Sequence, residues 1–418
     1  MEKKGNSVLI VGFNTRPLAY SLYKAGYIVY VVDFFGDLDL FPYIKDGSII
    51  IKELGTSYKL IQKNYHRYLT EFTIKLLERN PKIDNLIIAS GLDDQIEERN
   101  QILRIIRDRN YKIKNLNNDI INIKNARNII EVNKLLKEKG YKVPITETFE
   151  SINKIPPSIT FPLIFKKRKS SGGINVYKIE NKEKLIFLIK NLGRKEFKPS
   201  DWLIQEFIEG IPASCTTISN GNETKIISIN RQVIGLDILN PPKDFMYCGN
   251  IVPGNFISRA KKLIAEISIA LANRLRLKGI NGFDFVLRRQ YPYLMEINPR
   301  IPGSISASEH SMELNLIDLH IKSFNKNCWN EIVDILDNAS YKKYATKLIY
   351  FAPKEVDINK ITKVNHLKYI HDKTDPIKSI MQGEPICSIL FIENSFANSF
   401  FGALKIADNI TKILSLNY

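Results

Sequence analysis

The chain has 418 residues, and 61 Lys+Arg against 44 Asp+Glu give it a net charge of +17. At about 150 residues per domain this length implies two to three domains, each able to bury a core, while 44% hydrophobic and 25% charged residues exclude wholesale disorder and fibrous repeats. The longest apolar runs, such as Tyr27–Val32, fall far short of the ~20 residues that span a bilayer, and the four cysteines are scattered with no C-x-x-C pair, which argues against a disulfide scaffold or a zinc knuckle.

Met1–Ser7 leads into an apolar run too short for a signal peptide, so a cytoplasmic protein is expected, with no membrane partner. Lysines and arginines are interleaved with acids along the whole chain. Binding of anionic small molecules accounts for that charge as well as a nucleic-acid surface would, and nucleic acid is not the expected partner.

In chain order, Ser7–Val11 is a short apolar strand ending at Gly12. A helical stretch follows with Leu18, Leu22 and Ala25 on one side, closed by Gly26, and Tyr27–Val32 forms a second strand ending at Asp33. Asn85–Ala89 is a third buried strand. Strands alternating with helices predict an α/β domain with a parallel sheet. Strand, glycine turn, helix and an acid some twenty residues on make half of a dinucleotide fingerprint, but Gly12–Arg16 lacks its second and third glycines. Arg16 points at an anion or caps a surface turn. Asp93 and Asp94, after the third strand, face a ligand or cap a helix. An amphipathic helix is predicted from Asn125 to Gly140, then β-rich stretches at 160–178 and 202–235, a helix near 257–277, a hairpin over 281–298, tail strands over 344–356 and 383–392, and a short terminal helix. None of the five histidines has a trusted ligand spacing; His310 is expected at a helix start. Cys248 has a weak reading as a nucleophile, set against a structural cysteine.

Two segments carry chemistry. Phe161–Tyr177 sets four cations, Lys166 to Lys169, at a strand end and runs them into Ser170, Ser171, Gly172 and Gly173 before a second strand. Glycine amides approach polyphosphate closely and lysines add point charges, although an exposed basic hairpin would read the same way. The second segment, Gly279–Arg300, folds as a hairpin around 288–292 with Leu287 facing Tyr293. That register sets Asp284 opposite Glu296, with Asn298 on the same face and Met295 and Ile297 in the core. Two facing carboxylates repel unless a cation lies between them, and Asp, Glu and an amide oxygen suit Mg²⁺ that shares its shell with phosphate. Arg300 lies just past the strand, within reach of a phosphate or a developing oxyanion.

Together these segments resemble the ATP-grasp superfamily, in particular its archaeal ATP-dependent carboligase group related to biotin carboxylase. The resemblance implies an α/β protein with α+β lobes: an ATP-grasp fold behind a Rossmann-like pre-ATP-grasp domain. The implied domains are 1–118 (pre-ATP-grasp), 119–204 (small lobe with the glycine lid), 205–330 (large lobe with the metal site) and 331–418 (C-terminal β-rich extension). It implies Lys166 on nucleotide phosphate, Ser170, Ser171, Gly172 and Gly173 as the lid, and Gln205, Glu206 and Ile208 as an adenine-binding hinge. Glu209 is a candidate for the ribose. Asp284, Glu296 and Asn298 would hold two Mg²⁺, with Mn²⁺ as an alternative, and Arg300 and Lys166 would be catalytic. The position of a second nucleotide lysine is occupied by Asn128-Ile129, with Arg127 as substitute. Ile301–Ser306 stands where biotin carboxylases carry a bicarbonate-binding run. The implied activity is an ADP-forming carboxylate–amine ligase working through an acyl phosphate in amino-acid or coenzyme synthesis, with a small-molecule carboxylate and an amine as partners and a homodimer left open. A biotin-independent carboxylase and a non-catalytic nucleotide- or RNA-binding module are the alternatives.

Overall fold

The computed structural model describes residues 6–170, 172–193, 197–375 and 379–415. Ser7–Gly12 (β1), Ile28–Asp33 (β2), Asp46–Ile49 (β3), Asn85–Ile88 (β4) and Lys114–Asn115 (β5) form a parallel sheet in the order β3-β2-β1-β4-β5. Val8 to Val11 are wholly buried because helices cover both faces, which is why β1 reads as a continuous apolar run and not as an alternation.

Thr146–Thr148 (β6), Leu163–Lys167 (β7), Val176–Ile179 (β8) and Trp202–Glu206 (β9) make a small antiparallel sheet ordered β6-β9-β7-β8. Its core stacks Phe165 on Trp202, ring centroids 4.6 Å apart. The amphipathic stretch before it is two helices, Ile120–Arg127 and Ile129–Glu138, broken at Asn128.

The third sheet has eight strands: Ile211–Asn220 (β10), Thr224–Ile234 (β11), Tyr247–Val252 (β12), Lys278–Arg288 (β13), Tyr291–Asn298 (β14), Tyr344–Phe351 (β15), Ile370–His371 (β16) and Pro385–Glu393 (β17), ordered β14-β13-β10-β11-β12-β15-β17-β16. The C-terminal strands therefore continue this sheet edge to edge. One face packs on helix Ser258–Arg274 and on the terminal helix Phe396–Ser415, which at 20 residues is long and not short as the sequence suggested. The opposite face carries a row of polar side chains. Asp284 pairs with Ser214 and Ser214 with Asn230; two residues on, Gln232 pairs with Asn250 and Asn250 with Lys347. No described helix is long and apolar enough to cross a membrane.

The β13–β14 hairpin differs in detail from its expected register. Its turn is only Arg289-Gln290, both at positive φ (48° and 69°), so Leu287 faces Pro292 and Val286 faces Tyr293. A bulge beside Asp284 then absorbs Met295, and Asp284 still lies opposite Glu296. Leu294 and Ile297 enter the core, whereas Met295, lifted out by the bulge, is half-buried beside Lys166.

Candidate active site

The polar face of the large sheet, the glycine hairpin and the carboxyl edge of the parallel sheet meet around Asp284 and Glu296. Asp284 accepts hydrogen bonds from Gln232 Nε2 and Asn298 Nδ2, both at 2.8 Å. Burial, and then the facing Glu296, push its pKa up to about 7, against the opposing pull of Arg300 and these two amides. Glu296 is ion-paired with Arg127, whose guanidinium also forks onto Asp94 at 2.6 and 2.8 Å and donates to the Ser170 carbonyl at 2.7 Å. Arg300 is ion-paired with Asp93. Burial alone would raise the Asp93 pKa; Arg300, Arg127 and the buried Arg99 outweigh it and hold it below the ordinary carboxylate range. Asp93 and Asp94 therefore anchor two arginines of the site and leave the following helix without a side-chain cap.

Lys166 reaches this group from β7, its ammonium 3.5 Å from the Met295 carbonyl. Burial and the nearby Arg127 lower its pKa to about 8 despite the Glu296 charge. The glycine hairpin lies over the acids. Gly172 O accepts from Tyr247 N at 3.3 Å, Lys243 Nζ donates to Ile174 O at 2.7 Å, and Gly173, at φ +80°, packs so closely on Phe245 that a Cβ would sit 1.8 Å from its carbonyl oxygen. Ser171 lies outside the described residues.

A slot of about 50 Å³ between the lobes is lined by Lys166, Ser170, Gly173, Leu203, Met295 and Glu296. A larger cavity of about 330 Å³ opens on the other side of the acids, against the polar row of the large sheet. The hinge segment is arranged differently from the expectation. The Gln205 side chain is spent on Thr146 Oγ1 at 2.8 Å, the Glu206 carboxylate is ion-paired with Arg288 at 2.9 Å, and Ile208 is buried. The main chain of Gln205 and Glu206 is paired on both sides, with β6 and with β7. Glu209 is exposed and lines a surface hollow with Arg259, Arg288 and Tyr291, so it does not join the slot.

Other expectations are corrected. Both Asp33 oxygens are used locally, by the Thr15 amide and hydroxyl and by the Phe35 and Gly36 amides at 2.6–2.9 Å, in keeping with the incomplete dinucleotide fingerprint. Arg16 does point at anions, but ones the chain supplies itself: it is buried against Asp372 and Asp39 at 3.0 and 3.2 Å and caps no surface turn. His310 lies in the last turn of helix Ile305–Met312 and not at its start. Cys248 is buried, and burial raises its thiol pKa, which leaves it a core residue.

The donor set fits Mg²⁺. Among the described residues no three His, Cys, Asp or Glu side chains form a closed metal cage; two hard carboxylates and an amide are what Mg²⁺ takes when phosphate and water complete its shell.

A family model for the ATP-grasp domain matches residues 126–304. The chain is 28% identical over 404 residues to an uncharacterized protein of Methanocaldococcus jannaschii, covering 94% of this chain and 90% of that one. Solved structures superpose over almost the whole chain. The L-amino acid ligase from Bacillus licheniformis gives a TM-score of 0.66 at 13% identity, covering 97% of this chain and 98% of that one. A biotin carboxylase complex from Campylobacter jejuni gives 0.70 at 13%, covering 95% and 89%.

The chain has the ATP-grasp fold. Within it the sequence reading missed the far wall of the ATP-grasp cavity, where Asn14, Asp37, Gln232, Asn250, Lys347 and Asp372 gather. The available signal was polar residues recurring inside otherwise apolar central strands: Ser214 and Thr216, Ser228 to Gln232, Asn250, Lys347 and Ser388.

Proposed function

We propose that this ATP-grasp protein is an ADP-forming carboxylate–amine ligase of the archaeal carboligase group. The reading rests on one convergence: Asp284, Glu296 and Asn298 lie together on adjacent strands, with Lys166, Arg300 and the glycine hairpin around them.

Asp284, Glu296 and Asn298 would hold Mg²⁺, which supplies charge neutralisation to the β- and γ-phosphates of ATP. Lys166 adds a buried positive charge for the phosphates, and the Gly172–Gly173 turn excludes water above them. Arg127 is already anchored by Asp94; it takes the place of the second nucleotide lysine and bears on the same phosphates. One oxygen of the substrate carboxylate attacks the γ-phosphorus, the bond to the bridging oxygen breaks, and ADP leaves. Arg300, fixed by Asp93, stabilises the transferred group. An amine nitrogen then attacks the acyl carbon, expels phosphate and loses a proton, leaving an amide.

The cavity favours this reading over a bicarbonate-using carboxylase. About 330 Å³ corresponds to some ten water volumes, far more than the four heavy atoms of bicarbonate occupy. Screening ADP release across carboxylates, with and without amines, and identifying the product by mass spectrometry tests it. Amine-dependent amide formation is expected; ADP release that needs bicarbonate and no amine would overturn it.

A further inference from the structure

The 330 Å³ cavity has two chemically different ends. One is formed by Asp284, Asn298 and Arg300; the other lies at the carboxyl edge of the parallel sheet, where Asn14 and Asp37 meet Lys347 and Asp372 from the C-terminal strands. Along the large sheet, β13 and β15 are four strands apart, which at ~4.8 Å per strand is about 19 Å. Between the two ends the large sheet contributes the polar side chains Ser214, Gln232 and Asn250, while Leu18, Phe35, Ile349 and Ile386 add apolar surface to the lining.

At the far end the charges do not balance locally. Asp372 is satisfied by Arg16 at 3.0 Å, by Lys347 at 3.1 Å and by the Ser388 hydroxyl. Asp39 takes Arg16 at 3.2 Å and the amides of Asp372 and Lys373. Asp37, only 4% exposed, has no cation within ion-pair distance among the described residues, and its carboxylate meets a single donor, Asn14 Nδ2, at 3.2 Å. The other end of that amide, Asn14 Oδ1, is buried with no hydrogen-bond partner. So is Asn250 Oδ1, on a residue 2% exposed along the same wall. A buried carboxylate without a cation and buried amide oxygens without donors are costly unless something supplies both charge and hydrogen. Burial, with Asp372, Asp33 and Asp39 adding to it, pushes the Asp37 pKa well above the ordinary carboxylate range, as expected of an acid lacking its counter-ion.

We propose that Asp37 and Asn14 form a subsite for a primary ammonium group carried by the acid substrate. An ammonium has three donors and no acceptor, which matches the unpaired Asp37 carboxylate and the orphaned Asn14 and Asn250 amide oxygens, and it supplies the charge that Lys347, already paired with Asp372, does not. A second carboxylate or a phosphate would be repelled there. The substrate is then an amino acid in the broad sense: a carboxylate that meets Arg300 and an amine held away from the reacting centre by the length of its chain. This inference rests on the ligase reading above and adds residues 14 and 37 as the selectors of the acid.

The test separates the two. ADP–Mg²⁺ binding to the full chain is measured by calorimetry. In parallel, hydroxamate formation from ATP, Mg²⁺ and hydroxylamine is followed with the standard amino acids, 8-aminooctanoate and 12-aminododecanoate, chosen to cover reaches up to the length of the cavity, each beside the acid in which hydrogen replaces the amino group. At least one amine-bearing acid is expected to react, with its deaminated partner reacting tenfold or more slowly. Asp37→Asn should raise KM for that acid roughly ten- to a hundredfold while kcat and ADP affinity stay within about twofold. Asn14→Leu should move KM in the same direction. A merely structural Asp37 would shift kcat and ADP affinity together with KM. Equal use of deaminated acids, an unmoved KM in Asp37→Asn, or no reacting amine-bearing acid in a protein that binds ADP–Mg²⁺ would each overturn the subsite. Failure to bind ADP–Mg²⁺ would overturn the nucleotide reading itself.

Discussion

Replacing Asp284 with Asn should make the protein more stable at alkaline pH and leave it inert. Asp284 has its pKa raised from 3.8 to about 7, so the folded chain retains a proton on it that the unfolded chain releases. Folded stability therefore falls as pH rises from about 4 to about 7, and the full loss is present above 7. Three pH units correspond to about 4 kcal/mol as an upper bound. The neutral amide escapes that loss but turns one accepted hydrogen bond, from Gln232 or Asn298, into a donor facing a donor, costing about 1 kcal/mol. The balance is a stabilisation of about 3 kcal/mol at pH 8, a rise of a few degrees in Tm, shrinking toward zero or below at pH 5, where wild-type Asp284 is itself protonated. Thermal unfolding of both proteins at pH 5 and pH 8 measures it. ADP–Mg²⁺ should raise the Tm of wild type and fail to raise that of Asp284→Asn. A Tm difference independent of pH, or a variant less stable at pH 8, would refute the account of Asp284 buried opposite Glu296 with only amide partners of its own.

Lys166, with its pKa lowered to about 8, should make ADP affinity constant below that pH and weaken it about tenfold per unit above; calorimetry over pH 7 to 10 should show this, and Lys166→Met should abolish the slope. Glu296→Gln should lower ADP formation by roughly 10³-fold while circular dichroism stays unchanged, and normal turnover would contradict its assignment to the metal. Gly173→Ala places a Cβ against the Phe245 carbonyl at a positive φ, so the hairpin can no longer lie down. Its expected signature is ADP released without ligated product, and an unchanged ratio of ADP to product would refute the role of the hairpin in excluding water.

The sequence was informative where chemistry and periodicity coincide. The β1 run, the cation-rich strand before the glycines, and Asp284 opposite Glu296 all follow from alternation and residue type. Even there the register was right through two compensating differences: a shorter turn than expected and a bulge that takes up Met295. Neither is legible, because Arg289 and Gln290 adopt positive φ without a glycine to announce it. The far wall of the cavity was not legible for a different reason. Asn14 and Asp37 come from loops after β1 and β2, and Lys347 from a strand more than three hundred residues later; the pairing of β12 with β15 sets Lys347 beside Asn250, and Asp372, shared by Lys347 and Arg16, ties that strand to the first domain. Asp93 and Asp94 looked like helix caps because capping is local, whereas their partners Arg300 and Arg127 are distant in the chain.

The unbroken eight-stranded sheet gives the molecule a ruler. Its backbone ladder fixes the spacing between Asp284 on β13 and Lys347 on β15. On the ligase proposal, exchanging side chains on β15 or β17 is expected to change which acid reacts without touching Asp284 or Glu296. The same ladder binds β15 to β12, so the C-terminal strands share one core with the rest of the sheet and are not an appendage to it.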